Sequence, residues 1–356
     1  MRMYERKTLS QKVHWTLIKR SFQLTVNKIF RKYGPAFRAA HPFLTVQEKK
    51  VINAISKCRT LELGGHLEVR EECGHAILRF HSCRNRHCPQ CQFFKKEQWI
   101  EARSREVFPF QYFHAVFTLP DELNPIVYRN KKIIYTMLFQ KVKETLLGTA
   151  EQQKYFGAGT GFFSILHTWG QKLNLHPHLH CVIPGGGYDA KADIWKRCST
   201  DYLLPVEVLK KRFKYLFLTE LKRKFMNREL FLNGTKYENK RLFQQLLDKL
   251  FSKEWVVYLK EPFSNHESVI RYPGKYTHRI TIGNYRIINL ENNTVLFWYK
   301  DYKDHNKKKV LVLPADQFVR RSLQVLRVSV IMDFLPTKRR NKTLNPVTVS
   351  LGYGNI

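Results

Sequence analysis

A dense group of cysteines near the N-terminus constrains the fold of this chain more than any other feature. Five of the seven cysteines lie between residues 58 and 91, in a stretch of Gly, His, Cys and Arg without a consistent apolar period. We expect bound metal rather than an apolar core to fix the fold of this stretch. Clustered thiols in a long chain without an export signal also favour metal binding over disulfides, and a reducing cytoplasm.

The spacing within this group predicts a zinc site. Cys83, Cys88 and Cys91 follow a C-x4-C-x2-C pattern, and Cys73 lies ten residues ahead of Cys83 in EECGH. Four thiolates within 19 residues can close a tetrahedral zinc site. We therefore predict a structural Zn²⁺ ion bound by Cys73, Cys83, Cys88 and Cys91.

Three alternatives stay open for these cysteines. Ordinary buried cysteines are disfavoured by the tight spacing and the polar neighbours. The plant-type two-iron, two-sulfur pattern opens with the same spacing, but its fourth thiolate should lie downstream, where only Cys181 and Cys198 remain. A histidine can also replace one thiol, and the candidates are His66, His75, His81 and His87.

The charge of the chain indicates a polyanionic partner. Its 62 Lys and Arg residues against 29 Asp and Glu residues give a net charge of +33, spread along the whole sequence. No apolar run approaches the roughly 18 residues of a membrane span, and no charged-then-apolar leader is found, so nucleic acid is preferred to a membrane surface. At 356 residues the chain is long enough for two or three domains.

The local patterning predicts an α+β chain. Apolar residues at helical spacing run through residues 1–57, a helical block covers roughly 125–147, and residues 205–260 are again helical and strongly basic. Strands are predicted at QYFHAVFTLP, as a pair within 159–187, and from 279 to 313. We expect an antiparallel sheet with flanking helices, preceded by a small helical and zinc-binding module.

The segment HPHLHCV is the first candidate for catalysis. His178 and His180 project from one face of the predicted strand, because successive side chains alternate, and two aligned imidazoles can share a divalent ion. A pair with this spacing also occurs by chance among structural histidines. The flanking apolar residues bury the strand, so a third ligand is expected. Gln171 in the preceding turn is favoured, and His167 on the preceding strand is the alternative.

The segment RYPGKYTHR contains a second candidate. Tyr272 and Tyr276 are four residues apart, so on a helix both hydroxyls would project from one face. The chain has 17 tyrosines, and the default explanation of such a pair is an aromatic contact capping a core. Side-chain chemistry alone therefore does not distinguish this pair from the other tyrosines of the chain.

Six segments in this order resemble one known family: LGGH, SCRNRHCPQCQ, HAVFTLP, HTWGQKL, HPHLHCVIPGGG and YPGKYTHRI. They resemble the HUH transposases of rolling-circle insertion sequences, which carry an N-terminal zinc-binding domain, and the match runs over residues 58–321. The resemblance implies a HUH nuclease domain in which His178 and His180 form the histidine pair. It also implies that Tyr276, with Tyr272 as its partner, is the nucleophile.

The chain departs from the family pattern at two positions. Arg70 stands where the family usually has a cysteine, three residues before Cys73. Pro273 directly follows Tyr272 and disfavours a helical conformation at that tyrosine, which makes Tyr276 the preferred nucleophile.

Four parts are expected along the chain: a helical lead-in (1–57), a zinc-binding module (58–92), a HUH nuclease domain (93–321) and a basic, divergent tail (322–356). The function expected is DNA transposition. It would proceed by cleavage of single-stranded or locally melted DNA through a 5′-phosphotyrosine, with Mg²⁺ or Mn²⁺ at the histidines. A replication initiator or relaxase-type nickase is one alternative. A non-catalytic zinc-finger protein that binds nucleic acid is the other.

Overall fold

A computed structural model describes residues 24–85, 87–91, 98, 100–101, 111–198, 203–260, 263, 269, 282–302, 304–324 and 330–333. These residues form two compact units. Unit 1 is built from the described residues within Met1–Phe93, Gln171–Leu173 and Ile280–Leu326. Unit 2 is built from those within Phe94–Gly170, Asn174–Arg279 and Arg327–Ile356. The predicted α+β class, with antiparallel sheets and helices, is confirmed. The predicted domain boundaries stay a prediction.

The helices and strands follow one another as an α+β chain. The helices are α1 (Val26–Ala40), α2 (Val46–Lys57), α3 (Asn124–Arg129), α4 (Lys131–Ala150), α5 (Val206–Met226), α6 (Lys240–Ser252) and α7 (Ala315–Gln324). The first strands are β1 (Gly65–Val69), β2 (Ala76–Phe80), β3 (Tyr112–Thr118), β4 (Phe162–Trp169), β5 (Leu175–Pro184) and β6 (Gly186–Asp189). The remaining strands are β7 (Ile194–Arg197), β8 (Val257–Lys260), β9 (Ile287–Glu291), β10 (Thr294–Asp301), β11 (Lys307–Pro314) and β12 (Val330–Asp333). None of the described helices combines the length and apolar character that crossing a membrane would require.

Unit 2 is organised around a five-stranded antiparallel sheet in the order β12-β4-β5-β3-β8. The predicted strand pair within 159–187 corresponds to β4 and β5, and the predicted helical block to α3 and α4. Two short edge strands were missed. Val257–Lys260 ends the segment predicted as helical (205–260), and Val330–Asp333 lies in the part expected to be a basic, divergent tail. Each has only four residues, too few for period-two alternation to stand out.

The two faces of this sheet differ in chemistry. On β3 and β5 the odd-numbered residues, such as Phe117 and Leu179, belong to the main apolar core together with side chains of α4, α5 and α6. The Phe117 ring packs edge-on against Phe213 of α5, with centroids 5.2 Å apart. Phe213 in turn packs against Trp255, with centroids 5.3 Å apart. The even-numbered residues, including His178 and His180, therefore lie on the opposite face.

Unit 1 combines helices with a three-stranded antiparallel sheet and a separate hairpin. The sheet has the order β11-β10-β9, and Phe297 on β10 packs against Phe318 on α7 with ring centroids 5.9 Å apart. These side chains share a buried core with Phe30 of α1 and Ile52 of α2. The β1–β2 hairpin stands out from this core, because its strands are exposed along almost their whole length.

The contact between α5 and the sheet allows a first test. Phe213→Ala is expected to lower the free energy of unfolding by about 3–5 kcal/mol, because it removes a fully buried ring that nothing nearby can replace. Tyr215→Ala, two residues on in the same helix, is the matched control, since that ring is 62% exposed. In a urea titration, Tyr215→Ala should change the free energy of unfolding by no more than about 0.5 kcal/mol. Equal effects of the two substitutions would contradict this account of the core.

Candidate metal centres

Four cysteine sulfurs converge at the base of the β1–β2 hairpin in unit 1. Cys58 Sγ lies 3.6 Å from the sulfurs of both Cys88 and Cys91. Cys83 Sγ also lies 3.6 Å from Cys91 Sγ. Zn–S bonds of about 2.3 Å at tetrahedral angles separate the sulfurs by about 3.8 Å, so the four sulfurs fit one zinc ion. These residues are called the four-cysteine cluster below: Cys58, Cys83, Cys88 and Cys91.

The cluster contains Cys58 where the sequence favoured Cys73. The hairpin strands run out and back, and a backbone hydrogen bond of 3.0 Å from Arg59 to His81 closes their base. Cys58 and Cys83 flank this base, although they are 25 residues apart. Cys73 lies in the turn at the far end and is exposed. Short sequence spacing pointed to Cys73, whereas strand pairing brings Cys58 to the other three thiols.

Donors around the sulfurs support thiolate formation. The backbone N–H of Cys83 donates to Cys58 Sγ at 3.5 Å, and the buried Asn27 amide donates to Cys88 Sγ at 3.4 Å. Hydrogen bonding with the Cys58 and Cys83 sulfurs lowers the pKa of Cys88 to about 7. The same two neighbours also lower the pKa of Cys91. Hydrogen bonding within the cluster, together with burial, raises the pKa of Cys58 and of Cys83. Because a thiol must lose its proton to bind a metal, these contacts favour thiolates at Cys88 and Cys91, and a bound Zn²⁺ ion would deprotonate the other two.

Three histidines converge on the polar face of the five-stranded sheet in unit 2. His167 on β4 is the direct cross-strand partner of His178 on β5, and His180 follows two residues later. Their ring centroids lie 4.6 to 5.4 Å apart. One ring nitrogen of each lies within 4.8 Å of the others, which allows one divalent ion to be bound by three nitrogens. These residues are called the three-histidine cluster below: His167, His178 and His180.

Gln171, the third ligand favoured from the sequence, is engaged within unit 1. Its side-chain amide donates to the Tyr302 hydroxyl at 3.0 Å, and its backbone carbonyl accepts from Arg286 at 2.6 Å. His167, the alternative ligand, is the residue that lies beside the pair. The signal for His167 was its position on β4 directly opposite His178, but this becomes visible only once the strand register is known.

The histidine pair is oriented by further hydrogen bonds. His178 Nδ1 lies 2.7 Å from the backbone carbonyl of His176, which can only accept, so in the neutral ring this nitrogen carries the proton and Nε2 has the lone pair that a metal ligand requires. His180 Nδ1 lies 3.0 Å from Nε2 of His114, a buried side chain on β3. Burial, with a contribution from the charge of Lys260, lowers the pKa of His114 to about 3. His114 is therefore neutral at physiological pH, and its Nε2 can accept a hydrogen bond from the Nδ1–H group of His180.

The sequence pattern did not identify His114 as a functional residue. It lies in HAVFTLP, and strand alternation puts its side chain on the same face of the sheet as His178 and His180. Outer partners of this kind fix the tautomer and the ring orientation of a histidine ligand. The two tyrosines predicted from the sequence, Tyr272 and Tyr276, lie outside the described residues.

Comparison with known families places both clusters within matched segments. Residues 161–330, which contain the three-histidine cluster, match the family described as "Putative transposase". Residues 29–119, which contain the four-cysteine cluster, match the family described as "Transposase zinc-binding domain". No solved structure matches the chain significantly.

Two bacterial relatives are similar over most of the chain. The chain is 45% identical over 300 residues to "Putative transposase y4qJ" of Sinorhizobium fredii, which covers 84% of this chain and 75% of the relative. It is 27% identical over 252 residues to the "Transposase for insertion sequence element IS801" of Pseudomonas savastanoi pv. phaseolicola. That alignment covers 70% of this chain and 59% of the relative.

The geometry of the four-cysteine cluster predicts that Cys58, and not Cys73, is the fourth zinc ligand. Cys58→Ser should lose the zinc ion from the hairpin base, because it removes one of four converging sulfurs. Cys73→Ser is the matched control and should keep the zinc content of the unchanged protein, measured by native mass spectrometry. Loss of zinc from Cys73→Ser together with retention by Cys58→Ser would contradict this ligand assignment.

Proposed function

Because the chain belongs to the two-tyrosine family of insertion-sequence transposases with an N-terminal zinc-binding domain, we propose that it cuts and rejoins single-stranded DNA. The observation that carries this proposal is the convergence of three histidines on one face of the sheet in unit 2. The net charge of +33 supports a polyanionic substrate. The protein as a whole would act in rolling-circle transposition.

The three-histidine cluster would hold the catalytic Mg²⁺ or Mn²⁺ ion. A bound ion would supply charge stabilisation at a non-bridging oxygen of the scissile phosphate. The contacts of Nδ1 of His178 with the His176 carbonyl and of Nδ1 of His180 with the His114 ring would orient both imidazoles to bind the ion through Nε2. Three nitrogen donors suit Mn²⁺ better than Mg²⁺, which prefers oxygen ligands.

Tyr276, with Tyr272 as its partner, is the proposed nucleophile. Attack by the tyrosine oxygen forms a bond to phosphorus and breaks the bond to the 3′ oxygen, which leaves a 5′-phosphotyrosine and a 3′-hydroxyl. Rejoining reverses these steps on another strand, so the phosphoester bond is conserved and no ATP is required. A second tyrosine would allow one strand to be accepted while another is still attached.

The proposed substrate is single-stranded or locally melted DNA at the ends of an element, because the attacked phosphate must reach the sheet face that carries the histidines. The four-cysteine cluster would hold a module that positions this DNA. A replication initiator or relaxase would use the same chemistry, but the zinc-binding domain and the transposase relatives favour transposition. A non-catalytic binding protein would not form covalent adducts.

The nucleophile assignment is tested by trapping the covalent product. Tyr276→Phe should abolish protein–DNA adducts with labelled single-stranded oligonucleotides from the element ends in Mn²⁺, as seen on a denaturing gel. Non-covalent binding of the same oligonucleotides should be kept, because only one hydroxyl is removed. Tyr272→Phe is the matched control and should retain adduct formation in a single round. Adducts at the level of the unchanged protein with Tyr276→Phe would refute the assignment.

The contact between His114 and His180 is tested by metal affinity. His114→Ala should weaken Mn²⁺ binding by about 10- to 100-fold in isothermal titration calorimetry, because His180 loses the partner that orients its ring. His114→Gln, which keeps an acceptor, should recover part of that loss.

The matched control for His114 is His176→Ala. His176 holds His178 through its backbone carbonyl, which the substitution retains, so the change in Mn²⁺ affinity should be much smaller. A His114→Ala protein with unaltered Mn²⁺ affinity would remove the positioning role of His114.

A further inference from the structure

The outer face of the three-stranded sheet in unit 1 carries large side chains that are not part of the hydrophobic core. On β10, Val295 and Phe297 face the core, so Trp298 and Lys300 lie on alternating positions toward the outer face. The cross-strand partners of Trp298 and Lys300 on β11 are Val310 and Lys308. This outer face is called the sheet platform below and consists of Tyr285, Trp298, Lys300, Lys308, Val310 and Val312.

The two aromatic side chains of the sheet platform, the exposed Tyr285 and the half-buried Trp298, are held in place by each other. Tyr285 is 69% exposed, and its ring centroid lies 5.8 Å from that of Trp298. The Trp298 indole N–H donates to the backbone carbonyl of Tyr285 at 3.1 Å. A side chain at Gly283 would collide with the Tyr285 ring, so the glycine leaves the space in which that ring lies. An ordered ring with an open face loses little conformational entropy when a flat ligand stacks on it.

Two lysines give the sheet platform a positive charge. Lys300 and Lys308 are direct cross-strand partners, and Lys308 Nζ lies 4.9 Å from the centre of the Trp298 ring. Within the described part of the chain neither lysine pairs with a carboxylate, whereas Lys309 is paired with Asp301 at 3.0 Å. Like charges placed directly opposite each other destabilise a sheet. An anionic ligand between the two lysines would remove this repulsion.

We propose that the sheet platform binds single-stranded DNA, with a base stacked on Tyr285 and backbone phosphates at Lys300 and Lys308. A single strand offers both unstacked base faces and phosphates, which match the ring and the two ammonium groups. In a duplex the base faces are stacked on one another and cannot stack on Tyr285. A polyanion without bases could bind the lysines but would not stack on the tyrosine ring. Val310 and Val312, 56% and 53% exposed, extend the apolar surface along the strand. The inference rests on the proposed function for the identity of the ligand.

The test measures binding of a fluorescein-labelled oligodeoxythymidine of about 20 nucleotides to the full, zinc-loaded chain by fluorescence anisotropy. Tyr285→Ala should raise the Kd by about 5- to 100-fold, the loss expected for one stacked base. Tyr285→Phe should bind like the unchanged protein, since stacking needs the ring and not the hydroxyl. Tyr128→Ala is the matched control, because Tyr128 is 53% exposed and has Lys131 Nζ 5.1 Å from its ring centre. It should leave the Kd unchanged.

Three further measurements separate stacking from charge. Replacing both Lys300 and Lys308 by alanine should reduce the slope of log K against log salt by about 1.4, roughly 0.7 for each phosphate contact to a single strand. Affinity for heparin, which has charge but no bases, should fall in this double variant and stay constant in Tyr285→Ala. An oligonucleotide carrying 5-iodouracil should cross-link under ultraviolet light to a peptide that contains Tyr285.

The outcomes distinguish this inference from the proposed function. If the unchanged chain binds the oligonucleotide and Tyr285→Ala binds it equally well, the sheet platform does not bind DNA, and a protein partner is the better explanation of its apolar surface. An equal loss of heparin and DNA affinity in Tyr285→Ala would also overturn the stacking role. A chain that binds no single-stranded DNA at all would contradict the proposed function itself.

Discussion

The antiparallel pairing of β4 and β5 is the interaction on which the histidine site depends. His167 faces His178 only in the observed register, and His180 joins them because side chains two residues apart share one face. A slip of one residue in β5 would turn both members of the pair toward the helices. The register is held by the apolar face, where Leu166 and Leu179 are fully buried cross-strand partners. The register of β4 and β5 therefore determines both the packing of the core and the placement of the three histidines.

The same sheet also explains why His114 contacts the site. β3 lies on the other side of β5 from β4, so the central strand receives one histidine from each neighbour. His167 comes directly opposite His178, while His114 reaches His180 diagonally, since its own partner is Val182. A buried imidazole requires a hydrogen-bond partner. The contact between the two buried rings gives one nitrogen of each ring a partner and at the same time limits the directions in which His180 can turn.

Much of the architecture follows from local pattern, whereas the ligand sets do not. The strand pair, the helical block and the histidine pair were predicted because period-two alternation and helical spacing are local signals. The sequence favoured Gln171 as the third metal ligand and Cys73 as the fourth thiol, residues close in sequence to the rest of each site, whereas the described clusters contain His167 and Cys58. Cys58 and His167 complete the clusters through strand pairing, and pairing partners are set by the register, which no short segment contains.

The local fold around the two clusters would depend on a bound metal ion to different degrees. The hairpin that joins Cys58 to Cys83 is exposed along its strands and buries little apolar surface, so zinc binding would contribute directly to the free energy of folding there. The three-histidine cluster lies on a sheet whose other face is packed with Phe113, Phe117 and the helices, so its side chains are positioned by the core. A site held in this way could bind and release an ion without unfolding. A structural ion in one unit and an exchangeable ion in the other would suit the metal-dependent DNA cleavage proposed above.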